Sequence, residues 1–449
     1  MKRKLGILSF ILVLFVSVFI TGCSSSAETA DESNGSDSKS GGDEKITISF
    51  IHNTPKAEIN QAEGKAFYAQ LEQFKKDHPN VVVKDEGYTS DDYRTKIKTL
   101  AAANELPDVY LLEGSFLPNF SENGLIEPLN DTIENKADWT ENFMNDAFAD
   151  MTYNGNIYGI PSDMKATSLI FYNEDIFKEA GVKEFPKTWA DFKDAIIKIK
   201  DAGYTPIALG NKDKWVLQSC FLSTFGDRFT GSDWFYSARD GEGAKFTDPE
   251  FVNALEEVKT LTEMGAFNTD MNSINNSAQR TMFYNKKAAM FFEGAWAVSA
   301  VVNDAPEDVL ASTHLALLPA VEGGNGNANA VSGGTSYGYT INPKLSDEKN
   351  ELVLELIEAL TGKGYAETLK ENSGFPVYVT EEFDNSKLPK LTQEYFELTE
   401  KSNFTPVYDM KLSPTPVDAI NTGLQEITIG VKTPEQVAEE IQDALESDQ

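Results

Sequence analysis

The sequence predicts a mixed α/β protein built as two lobes around doubly wound sheets. Three observations carry this: an opening β-α-β-α-β order, helix-start signals that recur to the end of the chain, and a length of about 400 residues after a polar N-terminal stretch, too long for one ordinary core.

Ile46 to Ile51 alternates as a β-branched strand, and Phe67, Leu71 and Phe74 then recur at helical spacing until His78, Pro79 and Asn80 end the helix. Val81 to Val83 reads as the second strand. Tyr93, Ile97 and Leu100 mark a second amphipathic helix, and Val109 to Leu112 a third strand that breaks at Glu113 and Gly114. Later helices carry start signals: Thr188 with Asp191, Ser346 before Asp347 and Glu348, and Thr433 with Pro434 and Gln436. Trp189, just inside one of these starts, reads as a structural residue packing inward. Glycines from Gly323 to Gly334, interleaved with Asn, read as a mobile connection between lobes.

Ahead of these elements, Lys2, Arg3 and Lys4 precede an uncharged run from Leu5 to Ile20 and then the tetrapeptide Ile20-Thr21-Gly22-Cys23. A charged start, an apolar core and small residues at the end make an export signal. The run is shorter than the roughly 20 residues that span a bilayer comfortably, so no permanent transmembrane helix is expected. From Ser24 to Lys45 almost nothing is apolar, and the stretch reads as a flexible tether.

The formal charge of −32 becomes about −35 when the three basic residues of the leader are removed, leaving 36 basic against 71 acidic. Such a surface repels phosphate backbones, which excludes nucleic acid as a partner class. The two cysteines are Cys23 and Cys220, so no intrachain disulfide is expected once Cys23 is modified. His52, His78 and His314 are scattered, and neither a metal nor a cofactor is expected.

The tetrapeptide ending in Cys23 resembles the lipobox of bacterial lipoproteins, which implies that Cys23 is acylated and is the membrane contact. Beyond it, spaced motifs resemble the extracellular solute-binding proteins of carbohydrate ABC transporters, the maltose and multiple-sugar group. They are Leu106-Pro107-Asp108-Val109, Gly124-Leu125-Ile126-Glu127-Pro128-Leu129, Tyr158-Gly159-Ile160-Pro161, Phe171-Tyr172-Asn173, Ala180-Gly181, Pro186-Lys187-Thr188-Trp189, Lys287-Ala288-Ala289-Met290 running to Gly294-Ala295-Trp296, and Gly374-Phe375-Pro376. The N-lobe Asp-Lys and Asp-Arg pairs of the maltose-binding pattern have no clear counterparts.

The resemblance implies a two-lobed, periplasmic-binding-protein-like fold with a three-crossing hinge near 160–163, 333–336 and 375–377. The expected boundaries are a leader at 1–22, a lipidated tether at 23–45, an N-lobe at 46–162, a C-lobe at 163–334, and return segments to the N-lobe at 335–375 and the C-lobe at 376–449. It also implies a monomer on the extracellular face of the cell membrane that captures a sugar between its lobes and delivers it to an ABC transporter permease, without catalysis.

A sugar presents hydroxyls on its rim and C–H patches on its faces, so its site needs aromatic rings beside carboxylates and amides. Trp296 is placed in the cleft by the resemblance, and Trp215, in a polar stretch, is a second platform. His52 and Asn53 (with Thr54) follow the first strand, and Glu113 and Ser115 end the third, where doubly wound sheets present ligands. Asp163 and Met164 sit at the first crossing, and Glu293 and Gly294 abut the tryptophan motif. Ser336, Tyr337, Tyr408 and Asp409 complete the candidates. Two rival readings are a secreted glycosidase using Glu113, Asp163 and Glu293, and a peptide-binding lipoprotein.

Overall fold

The computed structural model describes residues 45–144, 147–335, 337–380 and 384–448. Lys45–Gln449 forms a unit of its own. The expected leader, Cys23 and nearly all of the tether lie outside the described residues, as does Ser336.

Two lobes follow from where apolar residues cluster. The first core takes residues from Ile48 to Ile160, then Tyr339, Ile341, a stretch from Val353 to Leu369, and Val377. The second lobe holds two adjoining clusters that run from Ala166 to Val331 and return with Phe375, Leu391, Tyr395 and residues from Tyr408 to Leu445.

In the first lobe the strand Ile46–His52 pairs in parallel with Val81–Gly87 and with Val109–Glu113. The helix Ala62–Asp77 buries Phe67, Leu71 and Phe74, the apolar stripe anticipated from spacing, together with Ala66. Tyr337–Ile341 adds a fourth strand, antiparallel to Val109–Glu113 with Tyr337 opposite Glu113. It runs antiparallel because it enters from the other lobe, not through a helical crossover. The second-lobe sheet has the order Thr313–Ala316, Leu169–Asn173, Ala288–Glu293, Thr205–Ala208, with only the last pair parallel.

The crossings are hydrogen-bonded to one another. Ile160 and Tyr339 exchange backbone bonds of 3.0 and 2.9 Å, Met164 N donates to Phe375 O at 3.0 Å, and Val377 N to Ser162 O at 3.3 Å. Lys165–Ala166 pairs with Gly333 and Gly334.

The glycine-rich stretch is not the loose connection expected of it. Gly324 and Gly326 lie against the backbone of Arg228 and Asp227, where an added Cβ would come within 2.1 and 1.9 Å of carbonyl oxygens. The buried Arg228 guanidinium donates to the carbonyls of Asn327, Leu318 and Ala330. At Gly324 and Gly326 glycine therefore serves close approach within the second lobe. Of the expected caps, Thr188 and Thr433 make reciprocal bonds with Asp191 and Gln436. Ser346 makes no side-chain cap bond. Trp189 is buried against Phe192 and Phe225.

Candidate functional site

Strand ends and crossings meet around a cavity of about 760 Å³ lined from both lobes, within the range of roughly 300 to 1,000 Å³ typical of small-molecule sites. On the second-lobe side Trp215 and Trp296 are half-buried, with ring centroids 5.9 Å apart and planes at 60°. Two rings inclined this way form a trough rather than one flat shelf.

The Trp296 indole is fixed from behind. Its Nε1 donates to Glu293 Oε1 at 2.9 Å. Glu293, the last residue of its strand and fully buried, also accepts from Asn276 (2.8 Å), Gln279 (3.1 Å) and the Arg280 guanidinium. Gly294 leaves room for the ring: a Cβ there would sit 2.2 Å from Trp296 Cζ3.

A parallel arrangement stands in the first lobe. Glu113 ends its strand, is buried, and accepts from Arg94 Nε (2.7 Å), Tyr337 Oη (3.0 Å) and Ser115 Oγ (3.2 Å). Arg94 then reaches towards the second lobe, with Nη2 3.7 Å from Asp409 Oδ2. Despite its burial, the carboxylates hold the Arg94 guanidinium well above its ordinary pKa. Asp409 is pushed up to about 6, by burial first and by Glu113, against the pull of Arg94.

At the first crossing Lys165 lies 3.0 Å from both Glu63 and Asp163. Burial pulls its ammonium down, but Asp163 and Glu63 hold it above its ordinary value. The Asp163 carboxyl is raised, by burial more than Lys165 can offset. Glu58, on the cavity wall, is raised by burial and by Glu63.

Of the residues expected from sequence, Asn53, Asp163, Trp215, Trp296, Tyr337 and Asp409 line the cavity. Others are brought close but stand behind it: Glu113, Ser115, Glu293 and Gly294 hold the lining groups in place. Three need correction. His52 is buried among Phe50, Phe67 and Tyr68, and that burial takes its imidazole down to about 4, so it serves the core as a neutral ring. Tyr408 is buried and stacked on Phe235 at 4.7 Å, its hydroxyl against Gly226. Met164 packs on the first-lobe core.

Sequence reasoning missed Arg94, Arg280, Lys165, Glu58, Glu63, Ser219 and Tyr284, all on the cavity wall. A signal existed for the arginines. The chain has only five, Arg3, Arg94, Arg228, Arg239 and Arg280, among 39 basic residues. In a lysine-rich chain, arginine marks places where a planar fork of donors is needed.

Among the described residues no helix is long and apolar enough to cross a membrane. Residues 58–367 match the family model of bacterial extracellular solute-binding proteins. An uncharacterized ABC transporter extracellular-binding protein of Pyrococcus horikoshii is 26% identical over 68% of this chain and 69% of its own length. A multiple sugar-binding protein of Streptococcus mutans is 23% identical over 88% of this chain and 87% of its own. Among solved structures, one reported with xylan utilization by the thermophilic bacterium Caldanaerobius polysaccharolyticus shares 27% identity and a TM-score of 0.78, covering 89% of this chain and 99% of that one. A chitin oligosaccharide binding protein has 24% identity and a TM-score of 0.83, covering 90% and 99%.

Proposed function

The chain belongs to the family of bacterial extracellular solute-binding proteins, and from that premise we propose that it captures a sugar or oligosaccharide in the cleft and delivers it to the permease of an ABC transporter. One observation carries the reading: the Trp215–Trp296 trough faces a wall of buried, hydrogen-bonded polar groups across one cavity. Indole rings take the C–H faces of a pyranose, while carboxylate, guanidinium and phenol groups take its hydroxyls. The multiple sugar-binding relative supports the same class of solute.

The protein acts as a receptor, not a glycosidase. Glu113, Asp163 and Glu293, the carboxylates an enzyme would need, are each bound to a cation. Lipid on Cys23 holds the monomer at the extracellular face of the membrane. Cys23→Ser should move the protein from the membrane fraction to the medium, and retention after a salt wash would argue against the anchor.

A thermal-shift screen across mono- and oligosaccharides tests the main reading. A sugar at 100 times its Kd adds roughly 2.7 kcal/mol to stability. The sugar that binds should be recovered uncleaved. A panel without any shift, or a sugar returned as shorter products, would sink the proposal.

A further inference from the structure

Among the described residues, every cation on the cavity wall is already matched. Arg94 is held by Glu113 and points at Asp409, Lys165 sits between Glu63 and Asp163, and Arg280 is bound to Glu293. Five carboxylates line the same cavity: Glu58, Glu63, Asp163, Asp304 and Asp409. Among the described residues, neither Glu58 nor Asp304 has a cation within ion-pair distance.

Asp409 is the most telling of the five. It is only 4% exposed, and its Oδ2 accepts from Ser219 Oγ at 2.6 Å. Its Oδ1 is buried without a hydrogen-bond partner. The hydroxyl of Tyr284, also on the cavity wall, is likewise buried and unpartnered. A buried acceptor left open in this way is costly unless something that enters the cavity donates to it.

We propose that the cavity selects solutes that bring hydroxyl or ammonium donors and carry no carboxylate, sulfate or phosphate, and that Asp409 is the residue that enforces the choice by accepting from the bound solute. An anionic solute would find no unmatched cation and would bring its charge into a desolvated space already holding more carboxylates than cations, where like charges repel strongly. The protein's net charge of −32 adds a field of the same sign at longer range. This selectivity rests on the carbohydrate reading above and narrows it.

The test is calorimetry and thermal shift on the purified protein. The probes are xylotriose, maltotriose and chitotriose as neutral sugars, the chitosan trimer as an amine, and trigalacturonate and sn-glycerol 3-phosphate as anions. At pH 7.5 and about 0.05 M salt, the best neutral or amine sugar should bind at least about tenfold more tightly than either anion. Raising salt to roughly 0.5 M should narrow the gap. Asp409→Asn, which keeps the shape and removes the charge, should weaken the neutral sugar and shift the preference towards the anions by about tenfold.

Trigalacturonate binding as tightly as the best neutral sugar would overturn the selectivity and leave the carbohydrate reading standing. An Asp409→Asn protein with unchanged preference would remove Asp409 from its role. A panel in which only sn-glycerol 3-phosphate binds would bring down both.

Discussion

Glu113 and Glu293 occupy corresponding places in the two lobes and do different work. Each is the last residue of a strand within its lobe's sheet, each is buried, and each binds an arginine that lines the cavity. Glu113 holds a guanidinium that extends across the cleft to Asp409. Glu293 holds an indole at the edge of its own lobe. One buried carboxylate thus prepares a polar wall and the other an aromatic wall. The chemistry presented to the solute is set by what each carboxylate holds.

The sharpest way to break this comparison is to remove the carboxylates. Glu293→Ala leaves Arg280, Asn276 and the Trp296 Nε1 without their shared acceptor. It should cost about 3 kcal/mol of stability or more in urea unfolding, because a buried pair is broken from one side. Glu113→Ala should cost less, since Arg94 retains Asp409. Equal losses would mean that the two carboxylates are interchangeable supports.

Trp296→Ala tests the aromatic wall directly. Affinity for the bound sugar should fall by on the order of 2 kcal/mol, roughly thirtyfold, while the half-buried position limits the loss of fold. A protein that unfolds far more easily yet binds at wild-type strength would place the indole in the core instead of the site.

The pH dependence separates Asp409, on the polar wall, from His52, in the first-lobe core. Asp409 has a folded-state pKa of about 6, above its unfolded value, so the folded protein holds the extra proton between about 4 and 6 and this group's contribution to stability is lost as pH rises through that window. Ligand donors favour the ionised form, so sugar affinity should drop as pH falls below about 6, and Asp409→Asn should flatten that profile. His52 has the opposite sense. Its pKa of about 4 lies below the unfolded value, so its contribution is lost as pH falls from about 6.5 to 4, and His52→Phe should relieve that part of the acid sensitivity without altering the binding profile. Stability and affinity measured on the same samples keep the two apart.

Ser115→Ala should have the smallest effect. It removes one 3.2 Å bond to Glu113, worth about 1 kcal/mol at most, and should change affinity by less than about threefold.

Much of this arrangement was legible in the sequence. Alternation in Ile46–Ile51 and helical spacing in the two helices after it located the opening elements of the first lobe, local signals found the Thr188 and Thr433 caps, and the family resemblance pointed to the Gly294-Ala295-Trp296 stretch. Depth was not legible. Val109–Glu113 and Ala288–Glu293 are buried along their whole lengths, so no alternation told which side faced the cavity. Glu113, Glu293 and His52 were therefore located along the chain but not in depth. Arg94 escaped because one of its partners is chosen in space, Asp409 lying 315 positions away. The looseness expected of the glycine-rich stretch fails at Gly324 and Gly326 because Arg228, which pins that part, is nearly 100 positions upstream, while Gly333 and Gly334 do stand at a crossing.

The lacing of the crossings has a consequence for how such a chain can change length. Ile160 with Tyr339, Ser162 and Met164 with Phe375 and Val377, and Lys165–Ala166 with Gly333–Gly334 set each connecting strip in register with a neighbour. An extra or missing residue in one strip displaces every donor after it from the acceptor opposite, and a side chain meant for one lobe turns towards the other. Loops at the rim of either lobe are under no such constraint. Insertions among descendants of this chain should therefore collect at the rims, while the three strips keep their spacing as a set.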